Sequence, residues 1–301
     1  MGIDLTGIVM AVIGGDRRDL VLMQELVSLG ARVKAAGFAA CEELKQVELV
    51  ADLEAAVTGA QVLILPMQGT DPEGNIKTLD NSVFLQLTQP IANIIPNGTI
   101  FIIGAARDFL RHWAATYGWK LLEIAEMDDV AILNAIPSAE GAIQIAMEQL
   151  PITIHGSQSF VLGFGRLGKT LARMLAAIGA ITTVAARKSA DLARIYEMGY
   201  RPVQFNQLQD YIQEAEIIFN TAPQMVLDEK ILSLIRKDAL IVDLAAIPGG
   251  TDFKAAQKLG IVALMAPGLP GKVAPTTSGR ILARVIPPLI LRELPQCYLR
   301  G

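Results

Sequence analysis

The sequence is poor in cysteine, histidine and aromatic residues. Its 301 residues include 2 cysteines, 2 histidines and 5% aromatic side chains. Two thiols cannot form a disulfide framework, and Cys41 and Cys297 lie far apart in the sequence, which favours a reducing compartment. We therefore expect both cysteines to be chemically inert and the protein to be cytoplasmic.

Long apolar runs and blocks of basic charge are also missing. Hydrophobic residues make up 52% of the chain, but runs such as IVMAVIGG and SFVLGFG are shorter than the roughly 20 residues of a membrane-crossing helix. Short apolar runs that end in glycine, proline or a polar residue are typical of strands buried on both faces of a parallel sheet. The net charge of −4 comes without a basic block, which argues against nucleic acid. We expect a small-molecule ligand, and neither a membrane nor a nucleic acid.

Strands and helices alternate along the chain, and the alternation stops once and then restarts. This rhythm predicts an α/β fold with two doubly wound, parallel-sheet domains of the Rossmann type and a cleft between them. Residues 1–137 with 279–301 are predicted to form the first, substrate-binding domain, and residues 138–278 the second, NADP-binding domain.

Two helices are predicted near the domain junctions. Ser138 is expected to cap a helix over AEGAIQIAMEQL, with Glu140 near the positive end of its dipole. A last helix is expected from Gly279 to Leu294, interrupted at Pro287 and Pro288, and crossing back to the first domain.

The clearest motif is a glycine-rich turn between a strand and a helix, followed by a second strand. This context makes GxGxxG a strong indicator of dinucleotide binding. The first glycine permits the tight turn, the second lets backbone approach the pyrophosphate, and the third lets helix and strand pack closely. The free N–H groups of the helix tip then face the anion. The motif is Gly163, Phe164, Gly165, Arg166, Leu167 and Gly168.

The end of the next strand indicates which dinucleotide binds. An NAD enzyme carries Asp or Glu there for the ribose hydroxyl, whereas this chain has Arg187, Lys188 and Ser189. A guanidinium suits a 2′-phosphate, so we predict NADP rather than NAD. The alternative is a solvated basic turn.

Two further strand ends are predicted to line the nicotinamide half of the site, because ligands of doubly wound sheets bind at the carboxyl ends of strands. Asn220 has the alternative role of a turn former, and Asp243 that of a helix cap. The residues concerned are Asn220, Thr221, Ala222, Pro223, Asp243 and Ala245.

The opening strand leads into a related loop, GGDRRD, which lacks the third glycine. We therefore do not expect a second nucleotide here. Arg17 or Arg18 at the start of a helix would instead suit a carboxylate. The alternative is a turn whose charges pair with one another at the surface.

Five segments together resemble the A subunits of dipicolinate synthases: GGDRRD, NAIPSAEGAIQIAMEQLPITIHGS, LGFGRLGKTLAR, DLAAIPGGTDF and APGLPGKVAPTTSG. The resemblance implies a fold related to the alanine and 2-hydroxyacid dehydrogenases. It also implies the last step of dipicolinate synthesis in the mother cell of a sporulating bacterium. In that step a pyridine nucleotide oxidises dihydrodipicolinate, which is formed from hydroxytetrahydrodipicolinate. A flavoprotein-like B subunit is implied as partner, with this chain as a homo-oligomer inside the heteromer.

A dicarboxylate substrate calls for cations, and oxidation of a dihydropyridine chiefly requires positioning of a ring carbon. The candidate catalytic residues are Lys272 and Glu140. Glu140 is the candidate proton acceptor. His112 and His155 are expected to be structural, and no metal site is expected. The candidate substrate-binding residues are Arg17, Arg18, Arg107, Thr276 and Ser278, with a helix-capping alternative for the hydroxyl groups.

Two other functions stay open at this point. One is an amino-acid or 2-hydroxyacid dehydrogenase that acts alone, although the segment before the last helix lacks the acid/base histidine of that class. The other is a nucleotide-binding regulatory subunit with no chemistry of its own.

Overall fold

Residues 2–79 and 83–294 are described in a computed structural model, and contacts between Cα atoms divide the chain into two units. Unit 1 contains residues 1–133 and 274–301, and unit 2 contains residues 134–273. The chain therefore returns to unit 1 with its last helix. Cys41 is an exposed free thiol, whereas Cys297 lies outside the described residues.

Unit 1 has a six-stranded parallel sheet in the order β3-β2-β1-β4-β7-β8. A two-stranded antiparallel hairpin, β5 and β6, is inserted after β4. The strands are β1 (Val9–Ile13), β2 (Arg32–Ala36), β3 (Glu48–Val50), β4 (Val62–Ile64), β5 (Asn75–Ile76), β6 (Leu85–Gln86), β7 (Ile100–Ile103) and β8 (Lys120–Glu123). The helices are α1 (Arg17–Ser28), α2 (Leu53–Val57), α3 (Gln89–Ile94), α4 (Asp108–Tyr117) and α11 (Pro275–Glu293).

Unit 2 repeats this order as β11-β10-β9-β12-β13-β14, again all parallel. Its strands are β9 (Gln158–Leu162), β10 (Ile181–Ala186), β11 (Arg201–Gln204), β12 (Ile217–Asn220), β13 (Leu240–Asp243) and β14 (Val262–Met265). Its helices are α6 (Arg166–Ile178), α7 (Ser189–Glu197), α8 (Glu229–Leu232), α9 (Phe253–Leu259) and α10 (Leu269–Val273). Each unit therefore has the predicted doubly wound, Rossmann-like fold.

Alternate strand residues enter opposite hydrophobic cores, as the short apolar runs predict. In β1, Met10 and Val12 belong to one core, and Ala11 and Ile13 belong to the other. In β9, Val161 and its neighbours divide in the same way between two cores of unit 2. Both faces of each sheet are covered, and burial of these aliphatic side chains supplies the main stabilisation.

The prediction of a helix capped by Ser138 is wrong. The helix α5 runs from Asp128 to Gln149 with Pro137 inside it. The Ser138 hydroxyl donates to the Asn134 carbonyl one turn earlier (2.8 Å), so it is a mid-helix side chain. Glu140 consequently lies far from the positive end of the dipole, which Asp128 occupies.

The length and composition of α5 would also allow it to cross a membrane. It is one such helix among the described residues, and 44% of its most apolar stretch is buried in the structure.

The last helix is longer than predicted. It begins at Pro275, in the first turn where proline is tolerated, and continues through Pro287 and Pro288 to Glu293. Its N-cap is Ala274, without a side-chain cap, so the capping alternative for Thr276 and Ser278 is also wrong.

Candidate functional site

The three glycines of the turn after β9 have three different environments. Gly163 has a φ of +111°, a conformation that favours glycine. A Cβ on Gly168 would lie 2.1 Å from the Gly163 carbonyl oxygen, so helix and strand pack too closely for alanine. A Cβ on Gly165, the N-cap of α6, would meet nothing within 4 Å. This is the geometry that a bound pyrophosphate requires.

The turn is held by its neighbours on the sheet. The Gly163 N–H donates to the Ala185 carbonyl (3.0 Å), and the Thr221 hydroxyl donates to the Leu162 carbonyl (3.0 Å). Both contacts fix the turn at the carboxyl ends of β9, β10 and β12. The N-terminus of α6, which is the positive end of the helix dipole, therefore lies at these strand ends.

A pocket of about 640 Å³ opens beside this turn within unit 2. Its walls come from the loops that follow β9, β10 and β12. The predicted cofactor residues that line it are Gly163, Phe164, Gly165, Arg187, Lys188, Thr221, Ala222 and Pro223. A volume of this size is typical of a small-molecule site.

The other predicted cofactor residues lie around the pocket without lining it. Arg166 and Leu167 open α6, Ser189 opens α7, and Gly168 is buried under the turn. Asn220, Asp243 and Ala245 are buried at the ends of β12 and β13.

A cation stands where an NAD enzyme carries a carboxylate. Arg187 follows the last residue of β10 and is exposed, and its Nη1 donates to Gln224 Oε1 (3.0 Å). Lys188 is the N-cap of α7, and Asp191 in the first turn of that helix also lines the pocket. The pocket wall therefore carries two cations and one carboxylate at the point where the ribose of a dinucleotide would lie.

Sequence reasoning missed Lys169, Asp191 and Gln224 as lining residues. Lys169 comes one residue after the GxGxxG motif, and its Nζ lies 5.2 Å from the centre of the Phe164 ring, within cation–π range. Gln224 directly follows the predicted run from Asn220 to Pro223. For Lys169 and Gln224, the available signal was their proximity to the predicted motifs in the sequence.

Asn220 and Asp243 bind protein backbone. Asn220 Nδ2 donates to the Ala222 carbonyl (3.0 Å), and its Oδ1 accepts from the Ala222 N–H (3.1 Å), as a turn former does. The Asp243 carboxylate accepts from Ala245 N (3.0 Å), Gly250 N (2.9 Å) and Thr251 Oγ1 (2.6 Å). Asp243 thus organises the loop after β13, and the alternative of a helix cap is wrong.

The related loop of unit 1 is covered by protein. The Gly14 N–H donates to the Ala36 carbonyl (2.8 Å), and the Gly15 N–H donates to the Lys77 carbonyl (2.7 Å). A Cβ on Gly14 would lie 2.5 Å from that same Lys77 carbonyl oxygen. The segment of the hairpin at Lys77 therefore packs closely against this loop. The expectation of no second nucleotide stays a prediction.

Arg18 is buried and paired inside this loop. Its Nε donates to Asp16 Oδ1 (2.9 Å) and its Nη2 to Asp16 Oδ2 (2.7 Å). Burial opposes the charge of Asp16, but the Arg18 hydrogen bonds outweigh it and lower the pKa of Asp16. Arg18 and Asp16 thus pair with each other, as the alternative interpretation of this loop predicted, but the pair is largely buried rather than at the surface.

Complete burial raises the pKa of Asp19 to about 7. The Asp19 carboxylate accepts from the Asp16 N–H (2.8 Å) and the Asp16 side chain caps α1 in return, which forms a capping box.

Comparisons with known proteins identify both units. Residues 9–125 match the N-terminal domain of dipicolinate synthase A subunits, and residues 138–246 match the NAD binding domain of D-isomer specific 2-hydroxyacid dehydrogenases. The chain is 42% identical to the dipicolinate synthase A subunit of Bacillus subtilis over 95% of its length and 97% of that protein. The chain belongs to the family of dipicolinate synthase A subunits.

A crystal structure of the dipicolinate synthase A subunit from Bacillus halodurans has the same fold. It superposes with a TM-score of 0.92 at 36% identity and covers 95% of this chain and 99% of that one. An L-alanine dehydrogenase shares the fold at 13% identity with a TM-score of 0.64, covering 93% of this chain and 89% of that one. The predicted relation to the dehydrogenases is confirmed at the level of fold.

The remaining candidates of this dipicolinate synthase family member lie on several elements. Arg17 is exposed at the start of α1, and Arg107 is exposed at the N-cap of α4, where its Nε donates to the Thr70 carbonyl (3.2 Å). Lys272 is exposed on α10. Thr276 is exposed and Ser278 buried in α11. Their predicted roles toward substrate stay predictions.

Glu140 and the histidines lie outside the cofactor pocket. Glu140 is exposed on α5, where it lines a different groove together with Arg173. His155 Nδ1 lies 3.1 Å from the Ile178 carbonyl oxygen, and a Cβ on Gly179 would clash with the ring. His112 is exposed on α4. Among the described residues, no group of three or more His, Cys, Asp or Glu side chains is arranged to hold a metal ion.

Proposed function

We propose that this chain is the NADP-dependent subunit that oxidises dihydrodipicolinate, formed from hydroxytetrahydrodipicolinate, to dipicolinate. Three findings support the proposal: membership of the dipicolinate synthase A family, the match of residues 138–246 to an NAD binding domain, and the pocket beside the glycine turn.

Gly165 is the observation that carries the proposal. Its missing Cβ leaves open space at the tip of α6, while the neighbouring glycine position, Gly168, is tightly packed. A turn that served only packing would have no need of glycine at an open position. The residues present therefore fit a dinucleotide, with its pyrophosphate at the helix N-terminus.

The preference for NADP is proposed from the charges on the pocket wall. Arg187 takes the position at the end of β10 where NAD enzymes place an acid, and its fork suits a 2′-phosphate. Gln224 accepts from one Nη and so holds the guanidinium at the pocket mouth. Asp191 opposes this preference, so we expect NADP to be favoured without NAD being excluded.

The bound nicotinamide would accept a hydride from the dihydropyridine ring, and the ring would release a proton to solvent as it becomes aromatic. The work of the chain is then to hold the two rings together, and to balance the charge of the substrate carboxylates. Lys272 on α10 follows β14, whose carboxyl end lies at the same edge of the sheet as the cofactor turn. We propose Lys272 for one carboxylate, and Arg17 and Arg107 as the exposed cations for the other.

Assembly and cellular role are part of the same proposal. The related proteins are named as subunits of a synthase, which supports a complex with a second, flavoprotein-like B subunit. We propose that several copies of this chain enter the complex, in the cytoplasm of the mother cell during sporulation.

Substitution of Arg187 tests the nucleotide preference. In Arg187→Ala, the Kd for NADP should rise about tenfold or more, because a charge-assisted pair to the 2′-phosphate is lost. The Kd for NAD should change little. Calorimetric titration of both nucleotides into both proteins measures this, with Arg194→Ala on α7 as the control for loss of an exposed arginine. Equal weakening of NAD and NADP would contradict the assignment.

A coupled assay tests the reaction. The unstable precursor is generated enzymatically, the chain is added with and without the B subunit, and dipicolinate absorbance and NADPH are followed together. The proposal predicts both signals only with the two subunits present. Oxidation of alanine or a 2-hydroxy acid by the chain alone would show a stand-alone dehydrogenase instead. If no NADPH forms in the complete mixture, the result would favour the hypothesis that the chain is a regulatory subunit without chemistry of its own.

A further inference from the structure

The pocket beside the glycine turn carries a cation that the strand-end pattern does not predict. Lys169 is the fourth residue of α6, and its side chain is exposed. It lines the same pocket as Arg187, Lys188 and Asp191. We call these four side chains the charged wall of the pocket. The wall is locally positive, whereas the whole chain has a net charge of −4.

Lys169 can reach a ligand only with its side chain. Its backbone N–H donates to the Gly165 carbonyl (3.0 Å), so this N–H is not available to an anion. The ammonium group lies over the Phe164 ring, 5.2 Å from the ring centre. Among the described residues, no carboxylate forms an ion pair with Lys169. The protein therefore leaves the charge of Lys169 available to a ligand.

Phe164 fixes the place of this ammonium group. Its ring is 7% exposed and belongs to a core that also contains Leu171 of α6 and Ile195 of α7. The face of an aromatic ring attracts a cation, and a buried ring cannot move away from it. The ammonium group is thus held on the side of the sheet that α6 and α7 cover, and α7 is the helix that begins directly after Lys188.

The charge balance of the wall accounts for a third cation. A ribose 2′-phosphate carries a charge of about −1.5 to −2 at neutral pH, as phosphate monoesters do. Arg187 and Lys188 oppose this charge, but Asp191 cancels one of the two cations. Lys169 restores a second net positive charge, which matches that of the phosphate.

We infer that Lys169 binds the 2′-phosphate of NADP and is a second selectivity residue beside Arg187. The phosphate would then lie between cations from two elements, with Arg187 at the end of β10 and Lys169 on α6. This role of Lys169 rests on the proposed NADP site. It explains how the pocket favours NADP although Asp191 lines the same wall.

The pyrophosphate is the other anionic group of the cofactor. It would lie at the tip of α6, where a Cβ on Gly165 meets nothing within 4 Å. Lys169 comes four residues after Gly165, and its ammonium group lies over Phe164 on the side of α7. Because NAD and NADP have the same pyrophosphate, a lysine bound to it would strengthen both equally. The two assignments therefore give different predictions.

Lys169→Met tests the inference in the full-length chain, because methionine keeps an unbranched side chain near Phe164 and removes the charge. The Kd for NADP should rise about fivefold or more, since a charge-assisted contact with the phosphate is lost. The Kd for NAD should change little, and Lys169→Arg should keep the preference for NADP. Lys258→Met, the same change at an exposed position of α9, is the control and should alter neither Kd. Calorimetric titration measures these values.

Two fragments of the cofactor locate the contact. Adenosine 2′-monophosphate has the 2′-phosphate without the pyrophosphate, whereas ADP-ribose has the pyrophosphate without the 2′-phosphate. Lys169→Met should weaken binding of adenosine 2′-monophosphate about fivefold or more and leave that of ADP-ribose unchanged. Displacement of bound NADP measures the affinity of both fragments.

Two outcomes in Lys169→Met would overturn the inference. Equal weakening of NAD and NADP, together with weaker binding of ADP-ribose, would assign Lys169 to the pyrophosphate. Unchanged Kd values for all ligands would show that Lys169 is a solvated surface lysine. Failure of the unmodified chain to bind NADP would instead overturn the proposed site itself, and the role of Lys169 with it. Circular dichroism of each variant shows that a lost affinity does not come from unfolding.

Discussion

The carboxyl group of Asp19, in the first turn of α1, is buried against Gly15. A Cβ on Gly15 would collide with its Oδ2, so the two residues are fitted to each other. Burial outweighs the hydrogen bond from the Asp16 N–H and raises the pKa of Asp19 to about 7. The folded protein therefore retains this proton over a pH range in which the unfolded chain releases it.

The stability of the protein should consequently depend on pH. Between pH 3.8 and about 7 the folded state binds the extra proton at Asp19, so the contribution of Asp19 to the free energy of unfolding falls as pH rises through this window and is constant above it. Asp19→Asn should abolish that slope and raise the free energy of unfolding at pH 8, by at most about 4 kcal/mol. Urea unfolding of both proteins at several pH values measures the difference. Asp210→Asn, an exposed carboxylate, is the control, and an unchanged slope in Asp19→Asn would contradict the assignment.

Residues of the cofactor turn were predictable because their geometry is local. The spacing of Gly163, Gly165 and Gly168 between a strand and a helix specifies a turn, a close approach and a packing contact without reference to distant residues. Arg18 was not predictable in the same way. Its guanidinium pairs with the carboxylate of Asp16, two residues earlier. A sequence does not show whether an arginine near an aspartate pairs with that aspartate or binds a ligand.

Helix α5 shows what a sequence pattern misses at the scale of an element. Pro137 followed by Ser138 resembles the start of a helix, with serine as N-cap. In the structure the helix begins at Asp128, two acidic residues occupy its first turn, and Pro137 is accommodated in its interior. A proline in a helix removes one backbone hydrogen bond, and tertiary packing offsets that loss. Buried Ala135, Ala139 and Ala142 supply such packing.

The position of Ser138 within α5 has a measurable consequence. Ser138→Ala should change the free energy of unfolding by less than about 0.5 kcal/mol, because alanine is the better residue in a helix interior. Asp252→Ala is the matched comparison, since Asp252 caps α9 by accepting from the Ala255 N–H (3.0 Å). Its loss should cost about 1 kcal/mol. Thermal or urea unfolding of the two variants measures this difference. If Ser138→Ala lowers the free energy of unfolding as much as Asp252→Ala does, Ser138 would have a capping role after all.

The two units have the same strand order, and they differ in the loop that follows the first strand of each unit. Unit 2 keeps three glycines and an open helix tip, whereas the corresponding loop of unit 1 donates to the Lys77 carbonyl of an inserted hairpin segment. The alternation of strands and helices made both folds predictable. The hairpin was not predictable, because β5 and β6 are two residues each and too short to leave a periodic pattern.

This difference between the units predicts one nucleotide site per chain, at the turn of unit 2. The most direct test is calorimetric titration of NADP into the unmodified chain and into Gly165→Ala. An alanine Cβ there meets no protein atom within 4 Å, so the variant should melt at the same temperature as the unmodified chain. It should nevertheless bind NADP at least about tenfold more weakly, because the Cβ occupies the space of the pyrophosphate. One site per unmodified chain and its loss in the variant are the expected result; two sites per chain, or unchanged affinity in Gly165→Ala, would contradict it.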